Sequence, residues 1–179
     1  MYGKGLSEEL IGEYQQSRGH RFSIATKGGI VIGGKRGQND NSEKALRKAL
    51  EGSLKRLKVE QVELYYIHRR DWSIEIEDVA ATLAKFKSEG KIGGFGFSEI
   101  APSSLRRAHA VHPVTAVQNE YSLWTRYPEL GMLQTCRELG VAFVPFSPLA
   151  RGMLSDTFPV PENFEETDFR KNMPRFMEP

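Results

Sequence analysis

Along the 179-residue chain, side chains able to do chemistry recur at one kind of place, just after short apolar runs. Lys27 follows Ile24-Ala25-Thr26, His68 follows Leu64-Tyr65-Tyr66-Ile67, and Ser98-Glu99 follow Gly96-Phe97. Gln118-Asn119 come after Val114 to Val117, and Phe146-Ser147 close the run that begins at Val141. A lysine supplies a cation, a histidine a proton-exchanging group, and serine and glutamine supply orienting hydrogen bonds. Phe146 adds a flat ring face. A sheet built only for stability has no need of a polar or aromatic group after nearly every strand, so the regularity points to a site.

Other spacings carry less. Gly29 to Lys35 fits the first part of a phosphate-binding G-x-x-x-x-G-K loop, but Arg36 stands where that loop needs Ser or Thr for Mg²⁺. A flexible loop beside the rim is the plainer reading. Gly94-Phe95-Gly96 lacks the third glycine of a dinucleotide fingerprint. His109 and His112 have no Cys or carboxylate beside them in sequence and read as exposed surface, so no metal site is expected. Cys136 reads as a buried helix residue; as the single cysteine it cannot form an internal disulfide and fits a reducing, cytoplasmic setting.

The elements that must carry these residues alternate. Helix patterns over Ser7–Arg18 (with Ser7 as cap), from the Asp40/Glu43 capping-box spacing through Leu57, and over Ile76–Phe86, Ser103–Val111 and Leu130–Leu139 separate strand patterns. The strands are Arg21–Lys27, Val62–Ile67, Ile92–Phe97, Val114–Val117 and Val141–Phe146. The near-continuous apolar run at Val62–Ile67 suits a strand covered on both faces. Glycines 93, 94 and 96 mark close backbone approach. Lys44, Arg47, Lys48, Lys55 and Arg56 read as a solvated helix face. Residues 1–154 form the domain; residues 155–179, punctuated by Pro159, Pro161 and Pro174, read as a loop-rich tail. Alternating strands and helices imply a parallel sheet, either doubly wound or part of a (β/α) barrel, whose complete form has eight strands.

Composition bounds the partners. Hydrophobic residues are 39%, charged residues 27%, and 25 Lys+Arg face 23 Asp+Glu, an ordinary globular balance with no basic excess for nucleic acid. No apolar run is long enough for a membrane span, and the first residues lack the apolar core of a secretory signal.

Taken together, several blocks resemble the aldo-keto reductases in order and spacing. They are Tyr2-Gly3 with Ser7-Glu8-Glu9-Leu10-Ile11-Gly12, Ile24-Ala25-Thr26-Lys27, Leu64-Tyr65-Tyr66-Ile67-His68-Arg69, and Glu89-Gly90-Lys91-Ile92 leading to Gly96-Phe97-Ser98. Ala116 to Ser122 and Phe146-Ser147-Pro148-Leu149-Ala150-Arg151-Gly152 complete the set. The resemblance implies an α/β fold, a partial (β/α)8 TIM barrel spanning roughly its third to seventh strands, and reduction of a small-molecule carbonyl by NADPH. It casts Tyr2 as general acid, Lys27 as its partner and His68 as the group orienting the carbonyl. A neighbouring cation lowers a tyrosine pKa toward the working range. The same resemblance assigns Ser98 and Gln118 to the cofactor carboxamide, Phe146 to its nicotinamide ring, and Ser147 and Leu149 to the loop around its pyrophosphate. Glu99 stands where many members carry Asn, as a mark of a branch. Trp72, Tyr121 and Trp124 follow strand ends and are candidate substrate contacts. The family's Asp, four residues ahead of the Tyr, and its last strand have no counterpart here, so the chain reads as truncated at both ends. Open sheet edges would then call for an oligomer, and the alternative function is an inactive, accessory barrel.

Overall fold

The structure, a computed structural model, describes residues 2–35 and 37–177, with the side chains of Tyr2 and Lys4 outside that description. A short 3-10 turn, Tyr2–Gly5, leads into α1 (Leu6–Arg18). The order then runs β1 (Ala25–Gly28), α2 (Glu43–Leu57), β2 (Val62–Ile67), α3 (Ile76–Ser88) and β3 (Ile92–Ser98). It continues with α4 (Pro102–Val111), β4 (Ala116–Glu120), α5 (Met132–Leu139) and β5 (Ala142–Phe146). Among the described residues after 154 the helical elements are 3-10 turns, at Pro161–Asn163, Phe169–Asn172 and Pro174–Phe176.

The five strands pair in sequence order, each parallel to the next. A doubly wound sheet reverses its strand order at a switch point. The described strands show no reversal, so the sheet is an arc of a (β/α)8 barrel, as the resemblance implies. The helices bury the stripes read from their spacing: Leu46, Leu50, Leu54 and Leu57 on α2, and Ile76, Val79, Ala80, Leu83 and Phe86 on α3. Each of these Leu, Ile, Val and Phe side chains contributes about 1.5–3 kcal/mol when fully buried.

The helix starts differ from expectation. Gly5, in a left-handed conformation, precedes α1, and Ser7 lies inside the helix rather than capping it. Helix α2 is capped by Ser42, whose hydroxyl accepts from the Ala45 N–H at 3.3 Å. Asp40 sits outside and accepts from the Ser42 N–H at 2.9 Å. Strand β1 is shorter than its sequence pattern, and β4 begins and ends later, carrying Gln118 and Asn119 inside the strand. The strand glycines do admit close neighbours. A Cβ on Gly96 would stand 2.6 Å from the Tyr66 ring and 2.4 Å from the Ala116 carbonyl oxygen.

One polar cluster ties three elements. Glu8 on α1 accepts from the Thr26 hydroxyl of β1 at 2.5 Å and from Arg56 Nε of α2 at 2.8 Å. So Arg56 is part of a half-buried ion pair, not of a solvated face. Burial alone would raise the Glu8 pKa, but hydrogen bonds from Thr26, Arg56 and Ser53 outweigh it and hold the carboxyl below its usual value of 4.5. A depressed carboxyl pKa stabilises the fold above pH 4.5, and that contribution fades as pH falls through the folded value. We expect Glu8→Gln to lower stability by about 1–3 kcal/mol at pH 7 in urea unfolding. The difference from wild type should shrink below pH 4.5; a pH-independent difference would contradict the account.

Candidate active site at the strand ends

Strand register builds the site. Lys27 pairs with Tyr66, Tyr66 with Gly96, and Gly96 with Ala116, forming one row across the sheet. Successive side chains on a strand alternate faces, so residues two further on share the face of that row. That next row holds His68, then Ser98, which pairs with Gln118, which pairs with Val144. The row after it pairs Glu120 with Phe146. Lys27, His68, Ser98, Gln118 and Phe146 therefore stand on one face at one rim.

Lys27 is half-buried, with Nζ 5.6 Å from the centroid of the Tyr66 ring. Gly96 leaves the room in which that ring lies. The His68 N–H donates to the Gly28 carbonyl at 2.9 Å, which extends the β1–β2 ladder to the rim. Lys27 and His68 both line an open cavity of about 450 Å³, bordered by Gly28 to Ile32, by Gly5 and Glu8, and by Ser53 and Arg56. Burial, and then the positive charges of Arg69 and Lys27, push the His68 pKa down to about 4. At neutral pH its imidazole is uncharged, so one ring nitrogen donates while the other accepts.

Arg69, next to His68, links the strand ends. Its guanidinium donates to the His68 carbonyl at 2.6 Å and to the Ser98 hydroxyl at 3.2 Å. Ser98 is buried and Gln118 half-buried. Glu99 turns out of the strand with φ 57°; its N–H reaches the Asn119 side-chain oxygen at 2.9 Å, and its carboxylate accepts from the Glu120 N–H at 2.6 Å. Phe146 leads into Ser147, and Leu149 is 58% exposed. Ser147, Ala150 and Arg151 all take left-handed backbone conformations.

Three expected residues lie apart. Trp72 is 76% exposed, with the Arg70 guanidinium 4.2 Å from its ring. Tyr121 donates its hydroxyl to Glu129 at 2.9 Å and sets its ring edge-on to Phe143. Trp124 is 48% exposed. None of the three lines the cavity shared by Lys27 and His68. The expectation for Tyr2 falls on a side chain outside the described residues; its backbone begins the turn that ends at Gly5, on the cavity wall.

The sequence decoys resolve simply. The loop after β1 closes on itself through an antiparallel bridge between Ile30 and Asn39 and leaves Lys35 exposed. The His109 ring accepts from the Val114 N–H at 3.3 Å, and the His112 ring packs 5.5 Å from Phe95, so both are half-buried helix-end residues rather than exposed ones. Cys136 is buried on α5. Among the described residues no helix is long and apolar enough to cross a membrane.

The neutral His68 has a measurable signature. Its folded pKa lies below the ordinary 6.5, so the unfolded chain binds a proton first as pH falls. Stability should therefore drop between pH 6.5 and about 4 and level off below, on this group's account. NMR titration of the imidazole should give a midpoint near 4; a midpoint above 6 would overturn the assignment.

Comparison with known proteins is specific. A family model described as "Aldo/keto reductase family" matches residues 1–178. The chain is 43% identical to a probable aldo-keto reductase of Glycine max over 178 residues, 98% of this chain and 51% of that protein. It is also 43% identical to an aldo-keto reductase of Strobilurus tenacellus, over 96% of this chain and 52% of that one. The chain spans about half the length of these curated relatives. Among solved structures, a glycerol dehydrogenase from Gluconobacter oxydans superposes with a TM-score of 0.88 at 30% identity, covering 99% of this chain and 56% of that chain. An aldo/keto reductase from Klebsiella pneumoniae, solved with NADP and acetate, gives 0.70 at 26% identity, covering 87% of this chain and 53% of that one.

Proposed function

The chain belongs to the aldo/keto reductase family, and from that premise we propose that it carries the working rim of an NADPH-dependent carbonyl reductase. The observation that carries this reading is that Lys27 and a neutral His68 stand on one face at one rim and line one cavity, which runs from there along β1 to α1 and α2.

The donor set suits the cofactor. Ser98 and Gln118 are register partners, so a hydroxyl and an amide stand side by side where a carboxamide needs both a donor and an acceptor. Arg69 already donates to the Ser98 oxygen, which leaves the hydroxyl proton free to point at a ligand. Phe146 offers a ring face, and Ser147 and Leu149 open the loop assigned to the pyrophosphate. The Klebsiella relative solved with NADP supports the same cofactor class.

NADPH, when bound, supplies the hydride that a carbonyl carbon accepts. The chain's own groups handle the oxygen. His68, uncharged, donates one N–H to the carbonyl oxygen and stabilises the negative charge that gathers there. Tyr2 gives its phenolic proton to that oxygen, which completes the alcohol. Lys27 supports the phenolate left behind, since a nearby cation favours the charged form. A His68 that stayed protonated at neutral pH would compete with Tyr2 as the acid; burial, and then the cations beside it, prevent that. Trp72, Tyr121 and Trp124, outside the cavity, are the proposed contacts for the far end of the substrate.

The outer edges of β1 and β5 favour a second reading. Among the described residues β1 pairs only with β2 and β5 only with β4, and exposed strand edges seek partners. In that reading the chain is an accessory module that associates through its edges, and its mass in solution would exceed that of one chain.

NADPH oxidation with a panel of aldehydes and ketones tests the enzymatic reading. Tyr2→Phe should lower kcat by about 10²–10⁴, the usual worth of a general acid, with NADPH affinity nearly unchanged. Lys27→Met should lower kcat and move the pH profile. Undiminished turnover in Tyr2→Phe would remove Tyr2 from the mechanism.

A further inference from the structure

Glu120, the last residue of β4, collects charges from distant parts of the chain. Its carboxylate accepts from Arg175 at 2.7 Å, fifty-five residues away, and from the Thr125 hydroxyl at 3.2 Å. Its other oxygen lies 3.7 Å from Arg151. The Glu120 side chain is only 14% exposed, and those of Arg151 and Arg175 are 24% and 23% exposed. Two guanidinium groups thus share one carboxylate in a poorly hydrated place. Arg151 Nε is buried without a hydrogen-bond partner among the described residues, so Glu120 is the group that compensates its charge.

Arg151 belongs to the loop after β5, whose backbone is strained. Ser147, Ala150 and Arg151 have φ values of 52°, 48° and 63°, a region that side-chain-bearing residues rarely occupy. Such a conformation persists only where the surroundings hold it. The loop's own backbone hydrogen bonds are short-range turns: Ala150 N–H to the Ser147 carbonyl and Gly152 N–H to the Leu149 carbonyl, both at 2.9 Å, Leu154 N–H to that same Leu149 carbonyl at 3.2 Å, and Met153 N–H to the Ala150 carbonyl at 3.3 Å; they curl the loop but do not tie it to β4. The ties to the rest of the fold come from outside the loop. Arg170 of the tail donates to the Arg151 carbonyl at 3.2 Å, and Arg175 closes on Glu120.

We propose that Glu120 is a positioning residue, the anchor that clamps the strained Ser147–Gly152 loop between β4 and the tail in the conformation that receives the cofactor's phosphates. The cofactor clause rests on the proposed reductase function; the clamp itself rests on the contacts above. Removing the charge leaves the two guanidinium groups facing each other, and the loop opens.

The test uses the native protein with Glu120→Gln, which keeps the shape and removes the charge, and Glu120→Asp, which keeps the charge. Hydrogen exchange is read at the amides of Gly152, Met153 and Leu154, and NADPH affinity by quenching of protein fluorescence. In Glu120→Gln, exchange at those amides should rise, and NADPH should bind more weakly, each by about tenfold or more, as expected for loss of hydrogen bonds to a charged group. Amides of β2 and α3 should be unchanged, and Glu120→Asp should recover part of both effects. Wild-type exchange in Glu120→Gln, or equal acceleration in β2 and α3, overturns the clamp. A loosened loop with unchanged NADPH affinity overturns its role in holding the cofactor. A wild-type protein that binds no NADPH overturns the reductase reading instead, and the exchange comparison alone then decides the clamp.

Discussion

In a parallel sheet every crossover returns the chain to the same end, so all strands finish at one rim. That constraint, with the two-residue period of the strands, governs the rest of this molecule. The register Tyr66–Gly96–Ala116 fixes the next row as His68, Ser98 and Gln118. A slip of one residue in any strand would turn its contribution to the helix-covered face. Register is in turn held by packing. Tyr65 and Phe95 are fully buried, and Tyr65 reaches the Leu46 carbonyl on α2, while Tyr66, on the alternate face, lies against Gly96. The core face and the chemical face are thus set by the same alternation.

Charge is managed by place. At the rim, Arg69 and Lys27 stand close to His68, and both act against its protonation. Away from the rim, the cations on the helices meet carboxylates. Arg47 bonds Glu43 and Glu89, and Arg107 bonds Glu75 and Glu77, at exposed sites where each pair is worth little. The Glu8–Arg56 pair differs because its carboxylate is less exposed and it joins α1 to α2 beside the cavity. The result is an uncharged imidazole with two cations beside it at the rim.

What the sequence made legible follows from which interactions are local. The β2 boundaries and the α3 stripe stand as read, because a buried run and a 3.6-residue period are written within a few residues. The rim residues Lys27, His68, Ser98 and Phe146 were legible too, because a strand's end marks them. Caps were less so: Ser42 does the work expected of Asp40, since several polar residues near a helix start satisfy the same pattern, and α1 starts after a left-handed Gly5 with no side-chain cap, so the role expected of Ser7 goes unfilled. The later end of β4 was hidden because Gln118, Asn119 and Glu120 are polar; they join the sheet through the register of β5, not through their own propensity. Arg69 and Glu120 left no periodic mark, their partners being set by tertiary folding.

The tail shows how a segment without helix or strand still bears on the rim. Its 3-10 turns cannot form a core alone, yet Phe164 and Phe176 are buried and meet edge to face at 5.5 Å. Arg170 stacks 4.3 Å over Phe164 while bonding Asp168, so the turns are cross-braced by one guanidinium. That bracing fixes where Arg175 emerges, and Arg175 ends on Glu120. Glu120 pairs in register with Phe146, the residue that enters the strained loop. Loops are ordinarily the most mobile part of a barrel rim. Here the chain that follows the loop folds back to share its counter-charge. The loop's geometry is therefore determined by residues on both sides of it in sequence, and a left-handed Arg151 can persist without a glycine's freedom.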